Sequence, residues 1–379
     1  MTKSLPGPPD LHLGPTRPPI GLLTRAQSAV TNVGVKVIPW VPAPAKRLLT
    51  RGRSVIIDGN TLDPTLQLLL TGLRATGIDG FIVNDDAAAS RALISQNMEI
   101  MPGPQIHVEV DEITLPGPAG PIRARHYRPP DGGEAPLVVY YHGGGWAIGD
   151  LDTHDALCRL LCRDAGVHVL SVDYRLAPQN RFPAALEDAW AATRWAADIA
   201  EQMGCDPHRV AVAGEGAGAN LAIGVCLLAR DRSGPPIAFQ LLLCPVVDQR
   251  RQSAPTPTPP RAAVVTAEHL HWFSDQYLAG DQDRLNPLAS PLLAELCTLP
   301  PAHLVLAHAD PQRVAGEQFA RQLRAAGVPT TARCYPGMFH GFYNLADQLD
   351  TAARANADVH TILRDALNSP DSQSRRILR

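Results

Sequence analysis

Four stretches of this 379-residue chain carry residue types that together could act on a carbonyl group. HGGGW, His142 to Trp146, follows the apolar run LVVYYH. Acyl transfer builds negative charge on the carbonyl oxygen, and backbone N–H groups can meet it only where no side chain intervenes. Gly143, Gly144 and Gly145 supply that opening. LAHADPQR puts Asp310 at the end of another apolar run, and YPGMFHGFYNL puts His340 between Phe339 and Gly341. Acid before base is the chain order of one kind of Ser-Asp-His triad. The fourth stretch, VAVAGEGAGANLA (Val210 to Ala222), passes from a β-type run through glycines into a small-residue helix, the setting in which the middle residue of G-x-S-x-G is lifted above a sheet. Here the middle residue is Gly216, so no hydroxyl stands at the turn.

Each of these has a structural alternative. HGGG can be a flexible turn, Asp310 a helix cap, and His340 a buried core histidine. What weighs against that is the set: all in one order, joined by VDYRLAPQNRFPAALEDA (Val172 to Ala189). Together these motifs resemble the hormone-sensitive-lipase branch of the α/β-hydrolase esterases, over residues about 105 to 368. The resemblance implies an α/β-hydrolase fold and roles for particular residues. Asp310 would be the acid and His340 the base, and the Gly144, Gly145 and Ala217 amides would form the oxyanion hole. His142 and Gly143 would brace that loop, Glu215 would support the elbow, and Gly216 would mark the vacant nucleophile position. Where the family has Glu then His, this chain has Gln179 and Asn180; where the family's D-P-L-R-D-E-G has its acidic pair, this chain has Val314 and Ala315.

No Ser, Thr or Cys lies within several residues of Gly216 to replace the hydroxyl. Three readings follow: an esterase framework for short to medium acyl esters with turnover nearly abolished, a non-catalytic module for a small apolar carboxylic or ester ligand, or slow hydrolysis by a water that His340 activates. No cofactor or metal is called for. His154, Cys158 and Cys162 fall at four-residue steps on one helix, but a packed helix face explains them better than a metal site without further ligands. GEGAG lacks the Lys-Ser/Thr of a phosphate-binding loop.

The elements that must position these residues are legible behind them. From LVVYYH onward, apolar strand runs alternate with helical segments, which predicts a mostly parallel sheet with helices on both faces. IHVEVDEITL and PIRARHYRPP predict an antiparallel hairpin before it. Residues 1–104 read as a helical, Pro-interrupted cap region with an apolar stripe at Leu62, Leu66, Leu69, Leu70 and Leu73, separated at MPGPQ from a domain over 105–379. A helical insertion at about 250–298, with Trp272, Phe273 and Tyr277, would complete the cap. The first 20 residues and the tail from Ser369 read as frayed.

A net charge of −3 gives no electrostatic case for a nucleic-acid partner or an anionic membrane. No apolar run reaches the ~20 residues of a transmembrane segment, and the N-terminus lacks a signal-peptide core. Seven cysteines, an odd number mostly within apolar segments, predict reduced thiols and a cytoplasmic protein. A homodimer is left open.

Overall fold

The hairpin predicted upstream of HGGGW forms from β1 (Glu109–Gly117) and β2 (Gly120–Arg128). Six further strands follow: β3 (Ala135–Tyr141), β4 (His168–Val172), β5 (Cys205–Glu215), β6 (Phe239–Leu243), β7 (Ala302–Ala309) and β8 (Thr330–Phe339). In this computed structural model they make one sheet in the order β8-β7-β6-β5-β3-β4-β2-β1. β3 to β8 are parallel, and β2 joins β4 antiparallel. The structure describes residue 38 and residues 41–50, 54–75, 80–83, 85–100, 106–130, 132–250 and 265–368. The Pro/Gly-rich start, the boundary at MPGPQ, the Pro/Thr stretch near 257 and the C-terminal tail lie outside the described residues.

The longer helices are α1 (Ala43–Leu49), α2 (Pro64–Ala75), α3 (Ala87–Ile100), α4 (Asp155–Ala165), α5 (Ala184–Asp198), α6 (Ala217–Asp231), α7 (Ala267–Tyr277), α8 (Arg313–Ala325) and α9 (Asp350–Asn368). They bury both faces of the sheet, which is why LVVYY is apolar throughout rather than alternating. One core layer joins the sheet to α5, α6 and α8 through residues such as Leu186, Leu221 and Phe319. The opposite layer joins it to α4 and α9 through Leu157 and Val359, and takes in Leu62, Leu66 and Leu70 at α2. The apolar stripe of α2 is thus a packing face on the sheet domain. No helix among the described residues is long and apolar enough to cross a membrane.

Some limits differ from those the sequence suggests. The helical pattern runs on past Asp198, but α5 ends there and a single 3₁₀ turn covers Glu201–Met203. β5 starts at Cys205, earlier than its apolar run, because Cys205 pairs with Ala135 of β3. β8 passes Pro336 to Phe339 with a register shift between Tyr335 and Phe339, which an edge strand tolerates. After β3 the sheet grows to one side through β4 and to the other through β5, so a crevice opens at the C-terminal ends of β3 and β5.

Candidate active site

One residue separates β5 from α6. Gly216 has φ 54° and ψ −108°; its N–H donates to Leu243 O at 2.8 Å and its carbonyl accepts from Asn220 N at 3.1 Å. A residue with a Cβ is strained there by about 1–3 kcal/mol, and glycine is not. Small residues around it let strand and helix close up. A Cβ on Gly218 would stand 1.9 Å from Tyr141 O, and one on Gly214 2.3 Å from the Gly218 carbonyl carbon. This contact also sets the end of β3, and so the HGGGW loop, against the turn.

Asp310 follows β7 and His340 follows β8, and the structure brings them together. His340 Nδ1 lies 2.8 Å from Asp310 Oδ2, while Asp310 Oδ1 accepts from Gln312 N at 2.8 Å. An ionised carboxylate only accepts, which assigns the ring proton to Nδ1 and leaves Nε2 with its lone pair. Nε2 is aimed at the turn, 3.1 Å from where a Cβ on Gly216 would be. Burial pulls the His340 pKa down, but the Asp310 charge and hydrogen bond, with the Glu215 charge, outweigh it and the net shift is upward.

The glycine loop abuts the same turn. A Cβ on Gly143 would be 3.3 Å from Glu215 O. Gly144 and Gly145 have φ of 115° and 58°, and the Gly144 carbonyl accepts from Ala147 N (3.1 Å) and Ile148 N (2.9 Å). Gly143 donates its N–H to His154 Nε2 at 3.1 Å. Among the described residues no protein acceptor takes the N–H of Gly144, Gly145 or Ala217. His142 is wholly buried, stacked on Tyr174 at 4.2 Å, and its carbonyl accepts from the Tyr174 hydroxyl at 2.8 Å. Burial, then the neighbouring His154, lower its pKa to about 3, so its imidazole is neutral.

Glu215 is singled out by the sequence, but its partners, and Cys244, escape such a reading. The buried Glu215 carboxylate accepts from Asn344 Nδ2 at 2.6 Å and lies 3.3 Å from His154 Nε2. Burial would raise its pKa, yet His154, Asn344 and His340 together bring it below the usual value, so it is charged. It links the glycine loop to the loop of His340. His154 thus serves this site, while Cys158 and Cys162 are buried in the α4 core layer; the three form no ligand cluster among the described residues. Cys244, 28 residues from Gly216 in sequence, has its thiol within 4.8 Å of ligand atoms of both Asp310 and His340. Burial first, then the Asp310 charge, hold that thiol well above its ordinary pKa. It is a neutral neighbour of the acid rather than a thiolate nucleophile.

Two helices rest on the glycine loop from outside the sheet. Arg91 on α3 donates Nε to Ala147 O at 2.7 Å, and Nη2 to Ala177 O at 2.5 Å and Gln179 Oε1 at 2.8 Å. Gln179 therefore keeps a partner although it carries no charge. From α7, Phe273 covers Gly145 so closely that a Cβ there would be 2.2 Å from the ring. Ile82, Ile94 and Trp272 pack onto Phe273, Ala147 and Ile148. Tyr277 stacks on Trp146 with centroids 4.3 Å apart.

Comparison with known proteins adds lineage to this geometry. A family model described as the alpha/beta hydrolase fold matches residues 138–344. The carboxylic ester hydrolase LipN of Mycobacterium tuberculosis is 52% identical over 375 residues, covering 97% of this chain and 100% of the relative. Esterase LipI of the same organism is 42% identical over 270 residues, covering 69% and 84%. A solved hyperthermophilic esterase from the archaeon Pyrobaculum calidifontis superimposes with a TM-score of 0.75 at 40% identity, covering 80% of this chain and 98% of that one. On these matches, the chain belongs to the α/β-hydrolase fold family, in its hormone-sensitive-lipase-like branch.

Proposed function

We propose that the protein is a carboxylic ester hydrolase framework for short to medium acyl esters that, with glycine at the elbow, turns over several orders of magnitude more slowly than a serine-bearing relative. The observation that carries this reading is the aim of His340: its Nδ1 is held by Asp310 and its Nε2 points at position 216, where there is no hydroxyl. Slow turnover would use water. Nε2 takes a proton from a water as its oxygen attacks the ester carbonyl, and Asp310 stabilises the imidazolium. The Gly144, Gly145 and Ala217 amides hold the oxyanion. As the tetrahedral species collapses, the C–O bond to the alcohol breaks and His340 returns the proton to the leaving oxygen. Seven cysteines, all free of disulfides, support a cytoplasmic setting.

Deleting a serine nucleophile costs about 10⁶ in turnover and leaves about 10³–10⁴ over water. Gly216→Ser is therefore expected to raise kcat/KM on chromogenic acyl esters by about 10³-fold or more, once His340 retreats by the few tenths of an ångström that a Cβ requires. The same variant is expected to melt lower than the parent from restored strain. A variant as silent as the parent would overturn the esterase reading.

One observation favours a second use of the same pocket. A histidine with a raised pKa beside unclaimed amides and the start of α6 is a setting for a carboxylate, so the free acid is the ligand expected to bind without reacting. A thermal-shift series of short carboxylic acids tests it, and no stabilisation by any of them would remove it.

A further inference from the structure

A second cluster of ligating side chains lies at the end of the sheet away from the elbow. β2 runs antiparallel to β4, so its C-terminal end meets the N-terminal ends of the parallel strands. His126 on β2, His168 at the start of β4 and Cys205 at the start of β5 gather there, 3%, 4% and 1% exposed. His126 Nε2 and His168 Nδ1 are 2.9 Å apart, and the two rings are stacked. One ligand atom from each of the three residues lies within 4.8 Å of the others. The hydrolytic site uses none of them.

A hydrogen bond between two core histidines explains the first distance, but not the rest. Among the described residues the Cys205 thiol has only a long contact, 3.8 Å to Met203 O. His168 Nε2 is buried, and beyond His126 the ring has, among the described residues, only weak backbone hydrogen bonds to Gly133 and Gly204. His168, Gly204 and Cys205 also line a cleft of about 1050 Å³ whose other walls include Glu109, Glu134 and Glu201. The cleft gives an ion a way in and room for a fourth ligand.

We infer that His126, His168 and Cys205 form a binding site for a zinc-like divalent cation, completed by water or another donor from the cleft. Two imidazole nitrogens and a thiolate suit borderline Zn²⁺, whereas Mg²⁺ and Ca²⁺ select oxygen. With Zn–N about 2.1 Å and Zn–S about 2.3 Å, a tetrahedron puts the nitrogens about 3.4 Å apart and the sulfur about 3.6 Å from each. From their 2.9 Å separation the nitrogens need part by only about 0.5 Å, a rotamer-scale adjustment. On binding, the Cys205 thiol gives its proton to solvent and two Zn–N bonds and one Zn–S bond form. The imidazole that had donated to its neighbour carries its hydrogen on the other nitrogen, so one proton is released per ion. Burial, then His168 and Arg128, keep His126 neutral with a pKa of about 4, and burial lowers that of His168. Burial also pushes Cys205 up to about 12, which the ion must offset. Arg128, the adverse neighbouring charge, is ion-paired with Asp111 and Glu109.

The test uses the full chain, stripped with a chelator and titrated with Co²⁺ and then Zn²⁺. We expect one equivalent of Co²⁺ with a thiolate-to-cobalt absorption band that Zn²⁺ abolishes, and a mixed nitrogen and sulfur shell in zinc X-ray absorption. Cys205→Ser should remove the band and weaken zinc binding by more than the 10- to 100-fold that outer partners of a metal site typically carry. A Cys244→Ala, His340→Ala double variant should leave both unchanged. An all-oxygen zinc shell, absence of stoichiometric cobalt, or a band that survives Cys205→Ser would overturn the site. So would a band lost with the Cys244 and His340 pair. Should Cys205→Ser fail to fold, the zinc absorption spectrum of the parent decides alone.

Discussion

Asp310 and His340 are 30 residues apart in sequence and 2.8 Å apart in space, and their coupling sets a pH dependence that belongs to those two residues. Burial lowers the His340 pKa and Asp310 more than reverses it. With the folded value raised, the pair's contribution to stability is full below the ordinary imidazole value of about 6.5 and is lost as pH rises through the folded value. Asp310→Asn leaves burial opposed only by the smaller effect of the Glu215 charge, so the His340 pKa should fall, by NMR titration of its ring proton. The stability gap between parent and variant should then be larger at pH 5 than at pH 8; a gap independent of pH would show the pair to be uncoupled. Asp310, His340 and the glycines were legible because motif and order carry them. Glu215's partners His154 and Asn344, and Cys244 beside the acid, were not, since contacts across more than 60 residues leave no period or spacing in the chain.

Elements were legible where their period was pure. LVVYY, buried on both faces, reads as a central strand, and the two alternating runs before it read as a hairpin. Their ends were less so, because pairing with a neighbour decides them: Cys205 joins β5 through Ala135, not through its own β propensity. The junction of β3, β5 and α6 yields a comparison between two glycines of one helix. A Cβ on Gly218 meets the Tyr141 and His142 carbonyls at 1.9 and 2.6 Å, backbone that cannot step aside, whereas one on Gly224 meets the end of the Leu186 side chain at 2.7 Å. Gly218→Ala is expected to cost about 3 kcal/mol or more, and Gly224→Ala about 1 kcal/mol or less once the helix preference for alanine is included. Urea denaturation measures both, and equal costs would contradict the close approach of turn and strand.

At the scale of the molecule, nothing in the sequence indicates that α3 and α7 rest on one short loop. Arg91 reaches from α3 to Ala147 while Phe273 lies on Gly145. Arg91→Ala should cost about 1–2 kcal/mol through the loss of charge-assisted bonds to two backbone carbonyls. Hydrogen exchange over His142 to Gly149 should quicken while β3 stays protected; unchanged loop exchange would rule out the clamp. The arrangement has an evolutionary corollary. On the proposed function, the walls that would admit a guest and the amides that would grip its carbonyl oxygen hang from the same few residues, so any widening of the entrance would loosen the grip as well. Lineages that broaden their diet on this architecture should therefore surrender rate, and recover it only by finding a new prop for the glycines.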